Sequence, residues 1–327
     1  MKHVSVLVPK GAVELSCIQG AVILFTKAND FLALRGRQPL FTVRLVGLSG
    51  EPQVYDRLFT VRPETTLEKV RKTDLIIIPA VNGDKEEVIA ANRPFLPWIV
   101  KQHRRGAEVA SLCVGAFLLA ATGLLKGGTC TTHWSAADDF RRMFPDVKLL
   151  QETIITDEDG IYSSGGALSF WNLLLYLLEK YTSRDIAIAA SKFYEIEIDR
   201  VSQSVFLIFN GQKTHRDDSV RKVQEFIEGN YRHRITVDQL CDTFGVGRRS
   251  LERRFKEATG NTVSQYIQRV KIEAAKKSFE TSRKNINEVM YETGYSDTKS
   301  FRTVFRKITG MSPMSYRNRY HREVASA

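Results

Sequence analysis

Apolar positions change their period once along the chain. Over the first two hundred residues, short apolar runs alternate with longer stretches of helical spacing. The runs are HVSVLVP (3–9), FTVRLVGL (41–48), DLIIIPA (74–80) and AEVASLC (107–113). Nearly continuous apolar runs predict strands covered on both faces. Between them, LSCIQGAVILFTKANDFLAL (15–34) and EEVIAANRPFLPWIVKQHRR (86–105) predict helices, and SFWNLLLYLLEKY (169–181) and SRDIAIAASKFYEIEI (183–198) predict two more. Strand–helix alternation implies an α/β fold, a doubly wound parallel sheet with helices on both sides. FNGQKTHRDDS (209–219) has no apolar periodicity and carries the turn-forming pair Asn210 and Gly211, so it reads as a linker.

Beyond it the pattern is helical to the end, and it repeats. ITVDQLCDTFGVGRRSLERRFKEATGNTVSQY (235–266) lies over NINEVMYETGYSDTKSFRTVFRKITGMSPMSY (285–316). Leu251, Phe255, Thr259, Gly260 and Tyr266 meet Phe301, Phe305, Thr309, Gly310 and Tyr316, each fifty positions later. Upstream of the turn the offset is forty-nine, because Gly245 to Leu251 is one residue shorter than Gly294 to Phe301. Each copy reads as a short helix, a glycine-containing turn and a second helix, the helix-turn-helix pattern. The expected division is an α/β domain over 1–205, a linker over 206–217, an all-α double helix-turn-helix domain over 218–317 and a tail over 318–327.

Length and composition narrow this picture. The 327 residues are enough for two domains, with 43% hydrophobic and 26% charged residues, ordinary for a globular protein. No apolar stretch approaches the roughly 18–20 residues of a membrane span. The N-terminal MKHVSVLVPKGAVEL runs straight into a strand without a signal-peptide core, so a cytoplasmic location is expected. Cys17, Cys113, Cys130 and Cys241 lie far apart with no C-x-x-C spacing, which speaks against zinc and against a disulfide framework. No metal and no cofactor is expected. The net charge of +11 is concentrated: residues 217–327 hold 22 basic against 14 acidic residues, the first 216 hold 26 against 23. A polyanion partner for the last third accounts for such a bias, and a solvated basic face accounts for it equally.

The second helix of each repeat has one apolar stripe, Leu251, Phe255 and Ala258 in the first and Phe301, Val304, Phe305 and Ile308 in the second. The other faces carry Arg248, Arg249, Ser250, Glu252, Arg253 and Lys256, and Thr298, Lys299, Arg302, Thr303 and Arg306. Arginine and lysine suit phosphate neutralisation and guanine readout, and serine and threonine bond backbone or base. Arg248, Arg249, Ser250, Arg253, Thr298, Lys299, Arg302, Thr303 and Arg306 are the DNA-binding candidates. Two such copies, with the tail TGMSPMSYR (309–317), resemble the AraC/XylS family of bacterial transcription regulators over about 218–317. The resemblance implies two recognition helices in successive major grooves, joined by a connecting helix at about 261–280. In the first copy Gly247 stands where serine would cap the recognition helix, as Ser296 is expected to do in the second.

The first two hundred residues resemble the DJ/PfpI superfamily, with its class I glutamine-amidotransferase-like fold. VPKGAVEL (8–15), LIIIPA (75–80), the cysteine elbow LCVGAFLLA (112–120) and TTHW (131–134) carry that likeness. It implies a pocket faced by Cys113 at the elbow and His133 from the following strand. The superfamily's carboxylate falls at Ser16, with Glu14 two residues away and expected to point elsewhere, and Val114 stands where protease-like members place a second histidine. A thiol is mostly protonated at neutral pH unless a cation, helix terminus or base lowers its pKa, and no third group orients His133. No catalytic residue is therefore assigned. Ser16, Asn82, Cys113, Val114, His133, Ser164 and Gly165 are the candidate pocket lining. Core positions without a ligand remain the plain alternative for Cys113 and His133, an ordinary turn for Asn82, and a packing role for the glycines at 165 and 166. Trp134 and Trp171 are expected in the core.

The whole layout implies a DNA-binding transcription regulator whose α/β domain senses a small metabolite, of nitrogen-containing kind by the resemblance. Promoter DNA, the effector and RNA polymerase are its partners on that reading, and a homodimer is expected. A cysteine-dependent hydrolase or amidase, and an α/β domain that only dimerises without a ligand, are the rival readings.

Overall fold

The four apolar runs pair, with three further strands, into one sheet. The protein, seen here in a computed structural model, is described over residues 1–321 apart from 56, 199, 201 and 214. Residues 322–327 of the expected tail lie outside the described residues. The strands of the sheet are β1 (Lys2–Val8), β2 (Phe41–Gly47), β3 (Thr65–Thr66), β4 (Leu75–Ile78), β5 (Glu108–Ser111), β6 (Ile155–Glu158) and β7 (Ile161–Ser164). Their spatial order is β6-β7-β5-β4-β1-β2-β3, parallel throughout except for the edge hairpin of β6 and β7. Residues 2–8 of β1 run in register with 41–47 of β2, and Leu75 to Ile78 of β4 with Glu108 to Ser111 of β5. The chain fills one side of β1 first and then crosses to the other. Such a reversal opens a crevice at the carboxyl ends of the strands, where doubly wound folds bind ligands.

Seven helices cover the sheet: α1 (Leu15–Ala33), α2 (Lys85–Ala91), α3 (Phe95–Arg104), α4 (Ala116–Ala121), α5 (Ala137–Met143), α6 (Phe170–Tyr181) and α7 (Arg184–Phe193). The helix expected over 86–105 is two. Asn92 ends the first, its buried amide donating to the Val88 carbonyl at 2.9 Å and also to that of Lys10, and Pro94 starts the second. The last of these helices stops at Phe193, short of the expected 198. The four central strands and both helix layers enclose one continuous apolar core. Trp171 packs against it, stacked on Phe170, whereas Trp134 lies half-buried beside the His133 ring.

By its contacts the chain divides between Gln203 and Ser204. The second unit contains α8 (Asp218–Asn230), α9 (Val237–Phe244), α10 (Arg248–Thr259), α11 (Val263–Thr281), α12 (Ile286–Glu292), α13 (Thr298–Thr309) and α14 (Pro313–Tyr320). It has two cores. Val220, Ile227, Leu240, Leu251, Phe255 and Tyr266 belong to the first, and Ile272, Phe279, Val289, Phe301, Phe305 and Tyr316 to the second. The fifty-residue repeat carries its polar details too. Tyr266 donates to Glu228 at 2.6 Å and Tyr316 to Glu280 at 2.5 Å, and the Thr259 and Thr309 hydroxyls each donate to the carbonyl four residues back.

Two boundaries differ from expectation. Residues 206–217 are aperiodic as expected, yet they are not a free linker. Phe209 packs on the first core, Gln224 holds the Gln212 carbonyl and the His215 ring, and Asp217 caps α8 and pairs with Arg254. Helix α14 continues to Tyr320, into the expected tail.

Candidate functional site

Strand β5 delivers the chain into a sharp corner at Cys113, whose φ is +55°, in the left-handed region that residues with a Cβ avoid. Two side chains hold the corner. The Cys113 amide donates to Ser164 Oγ at 3.1 Å, and the Thr132 hydroxyl donates to the Cys113 carbonyl at 3.0 Å. A short helical turn over Cys113–Gly115 then leads into α4. The thiol itself is buried, and burial pushes its pKa up. The Ala167 and Val114 amides pull the other way, the Glu14 carboxylate adds to the rise, and the Lys85 ammonium opposes it. The net shift is upward, which leaves a neutral thiol at physiological pH.

Glu14 stands exposed just before α1 and accepts a hydrogen bond from Ser16 at 2.9 Å; its charge is one of the smaller influences on the Cys113 thiol. Ser16 itself is half-buried in the first turn of α1. His133 lies just past a two-residue strand, Thr129–Cys130, and caps the turn that follows, its Nδ1 accepting from the Ser135 amide at 3.1 Å. Burial lowers its pKa, so the ring is neutral. Its ring faces Gly166, where a Cβ would come within 2.0 Å of the imidazole, so only glycine fits there. Val114, Ser164 and Gly165 are buried around the elbow. Asn82 departs from this group: it is exposed in a two-residue ladder opposite Ala12.

Sequence reasoning missed Gln203. Its buried amide accepts from Gly166 N at 3.0 Å and donates to the carbonyls of Thr132 and Gln151 at 3.0 and 2.8 Å. One side chain thus binds the histidine loop to the loop after β7. A lone glutamine in an aperiodic stretch carries no signal for that role. Ala167, with φ +46° and its amide on the sulfur, was equally silent.

In the second unit, α9 and α10 form one helix-turn-helix and α12 and α13 the other, with α11 between them. Leu251 and Phe255, like Phe301 and Phe305, face inward. Arg248, Arg249, Ser250 and Arg253 are exposed on α10, and Lys299, Arg302, Thr303 and Arg306 on α13, with Thr298 half-exposed in its first turn. The side chains of Arg249, Lys299, Arg302 and Arg306 have no partner among the described residues. Arg248 pairs with Asp238 at 2.8 Å and Arg253 with Glu257 at 3.0 Å, both in solvent. Such pairs are worth well under about 1 kcal/mol, so they yield readily to a phosphate. The expected cap of α13 is corrected: Asp297, not Ser296, accepts from the Ser300 amide at 2.6 Å. Gly247, the cap position of α10, has no side chain to do so.

Comparison with known proteins agrees with both halves. A helix-turn-helix domain family matches residues 240–319, and the DJ-1/PfpI family matches 31–180. The HTH-type transcriptional regulator ArgR of Pseudomonas aeruginosa is 29% identical over 237 residues, 71% of each chain. The HTH-type transcriptional regulator CdhR of the same species is 25% identical over 90% of this chain and 87% of its own. Among solved structures, a putative transcriptional regulator from Vibrio parahaemolyticus matches 59% of this chain and 98% of its own, with 21% identity and a TM-score of 0.53, a likeness of fold. A doubly wound domain followed by a paired helix-turn-helix defines a class of regulators in which DNA reading is joined to a ligand-sensing fold. The chain joins an AraC-type helix-turn-helix domain to an N-terminal DJ-1/PfpI domain, the combination found in the HTH-type transcriptional regulators it resembles. No helix among the described residues is long and apolar enough to cross a membrane.

Proposed function

We propose that the protein reads promoter DNA with α10 and α13 and responds to a small metabolite held beside Cys113. The observation that carries the DNA assignment is the repeated surface itself. Two helices fifty residues apart each bury one apolar stripe and present exposed cations away from it. Arg249 on α10 and Lys299, Arg302 and Arg306 on α13 are unpaired among the described residues. Their residues divide by chemistry: Arg249, Arg253, Lys299, Arg302 and Arg306 supply charge for phosphate or guanine, and Ser250, Thr298 and Thr303 supply hydroxyls. Full-length protein should bind promoter fragments with an affinity that falls steeply with salt. Arg302→Ala should weaken binding by about 1–3 kcal/mol where it reads a base. Undiminished binding after alanine replaces all five cations would refute the assignment.

At the elbow, the raised thiol pKa and the histidine engaged with Ser135 support sensing over catalysis. A nucleophilic cysteine needs a thiolate and an oriented base. Incubation with activated esters, amides and dicarbonyl compounds should give no turnover that Cys113→Ser abolishes. The resemblance makes a nitrogen-containing metabolite the first effector class to screen. RNA polymerase is the partner through which DNA occupancy would change transcription, and the bacterial cytoplasm is where these partners meet.

A further inference from the structure

The two helix-turn-helix lobes do not share an apolar core. The last core residue of the first lobe on α11 is Ile267 and the first of the second lobe is Ile272, and the seam between them falls at Lys271. Lys271 is 6% exposed, a rare state for lysine. Its Nζ donates to the His233 carbonyl at 3.1 Å and to the Gly294 carbonyl at 3.0 Å, and it lies 5.4 Å from the centre of the Tyr295 ring. His233 belongs to the loop between α8 and α9 of the first lobe, and Gly294 is the turn of the second. No carboxylate pairs with this ammonium among the described residues, and burial alone lowers its pKa.

A second observation at the same seam concerns the backbone. Gly294 has φ +72°, and a Cβ there would lie 2.5 Å from the Arg232 carbonyl oxygen. The turn of the second lobe is thus seated directly on the α8–α9 loop of the first, backbone against backbone. Other contacts cross the seam as well: Val205 reaches the second core and Phe209 the first. Lys271 bonds both lobes from the helix that connects them.

We propose that Lys271 is a positioning residue that fixes the spacing between the two DNA half-sites this protein accepts. The inference rests on the reading that α10 and α13 both enter DNA. Moving one half-site by a single base pair shifts it by about 3.4 Å and turns it by about 36° around the duplex, given one turn per 10–10.5 base pairs. A hinge at residue 271 would follow that change. An ammonium bonded to both lobes resists it, because either carbonyl, once released, loses a charge-assisted partner in a buried place.

The test uses full-length protein and a library of duplexes with 30 randomised base pairs. Selection on the wild type should return two half-sites at one dominant spacing, and insertion or deletion of one base pair should weaken binding at least 10-fold. Lys271→Met, which keeps the length of the stem and removes the ammonium, should return a broadened set of spacings, with the one-base-pair penalty reduced to about 3-fold or less. Lys271→Arg, which keeps the donors, should restore a single spacing. Circular dichroism and melting curves of each variant identify any that fail to fold. If Lys271→Met unfolds, Gly294→Ala, which forces apart the same backbone contact, takes its place with the same expected broadening. Identical spacing sets from wild type and folded variants would overturn the inference while leaving the DNA assignment standing. A wild type that selects no half-sites at all, or one alone, would overturn the DNA reading itself.

Discussion

The left-handed backbone at Cys113 costs of order 1–3 kcal/mol for a residue with a side chain, and Ser164 at the end of β7 and Thr132 in the loop before His133 hold it there. The corner was legible in the sequence as an apolar run meeting a cysteine and small residues. The upward shift of its thiol was not, since the sulfur's surroundings come from Ala167, Lys85 and Glu14, distant in the chain. Cys17 and Cys130 are also buried, and burial pushes each thiol up to about 12. Unfolded thiols ionise near pH 8.5, so the native state keeps protons that the unfolded state releases. The stability from these thiols is complete below about pH 8.5 and is lost as pH climbs toward 12. Denaturant titrations should show a loss of up to about 1.4 kcal/mol per pH unit for each such thiol in that window. Alkylation of Cys113 should likewise be slow at pH 7 and accelerate only in the alkaline range. Rapid labelling at pH 7 would contradict the neutral thiol.

At the scale of elements, the four central strands followed from continuous apolar runs and the longer helices from their 3.6-residue spacing. The short strand β3 and the edge hairpin of β6 and β7 carry no such run. Caps and breaks did not follow either, because they depend on one side chain each. The break in the helix over 86–105 needed the buried amide of Asn92, and the cap of α13 needed the correct position of the one-residue gap between the repeats. The extra residue lies before the cap, so Asp297 corresponds to Gly247 at the full offset of fifty. Asp297→Ala should therefore destabilise the second lobe by about 1 kcal/mol. Gly247→Ser should stabilise the first by only a few tenths, since glycine is itself a tolerable cap. Thermal melts of the two variants check both signs; an indifferent Asp297→Ala would show that α13 is held by its apolar stripe alone.

For the molecule as a whole, charge was legible from counts and its use from the fold. The basic excess of residues 217–327 lies in the unit with the paired repeats, while the α/β unit is close to neutral. A near-neutral domain can meet a copy of itself without the repulsion that a strongly charged one would suffer. A homodimer formed through the α/β unit is expected on that ground, and it would place four recognition helices on one operator. Light scattering at micromolar protein should give twice the monomer mass, with or without DNA. A monomer under both conditions would rule the pairing out.

The strap that runs from Ser204 to Asp217 has a consequence for how such proteins diversify. Sensor domains are exchanged by recombination at places where few contacts are severed. Here the aperiodic composition around Asn210 marks a false seam. A crossover there would keep the reading frame and lose Val205 and Leu207 from the helical unit, which holds them with its second core and with the buried Lys276. Lineages that swapped at Gln203 would inherit an intact reader, and those that cut a few residues later would inherit one with an open flank. The junction that evolution can reuse is therefore set by the packing of the strap and not by the stretch of sequence that looks most like a linker.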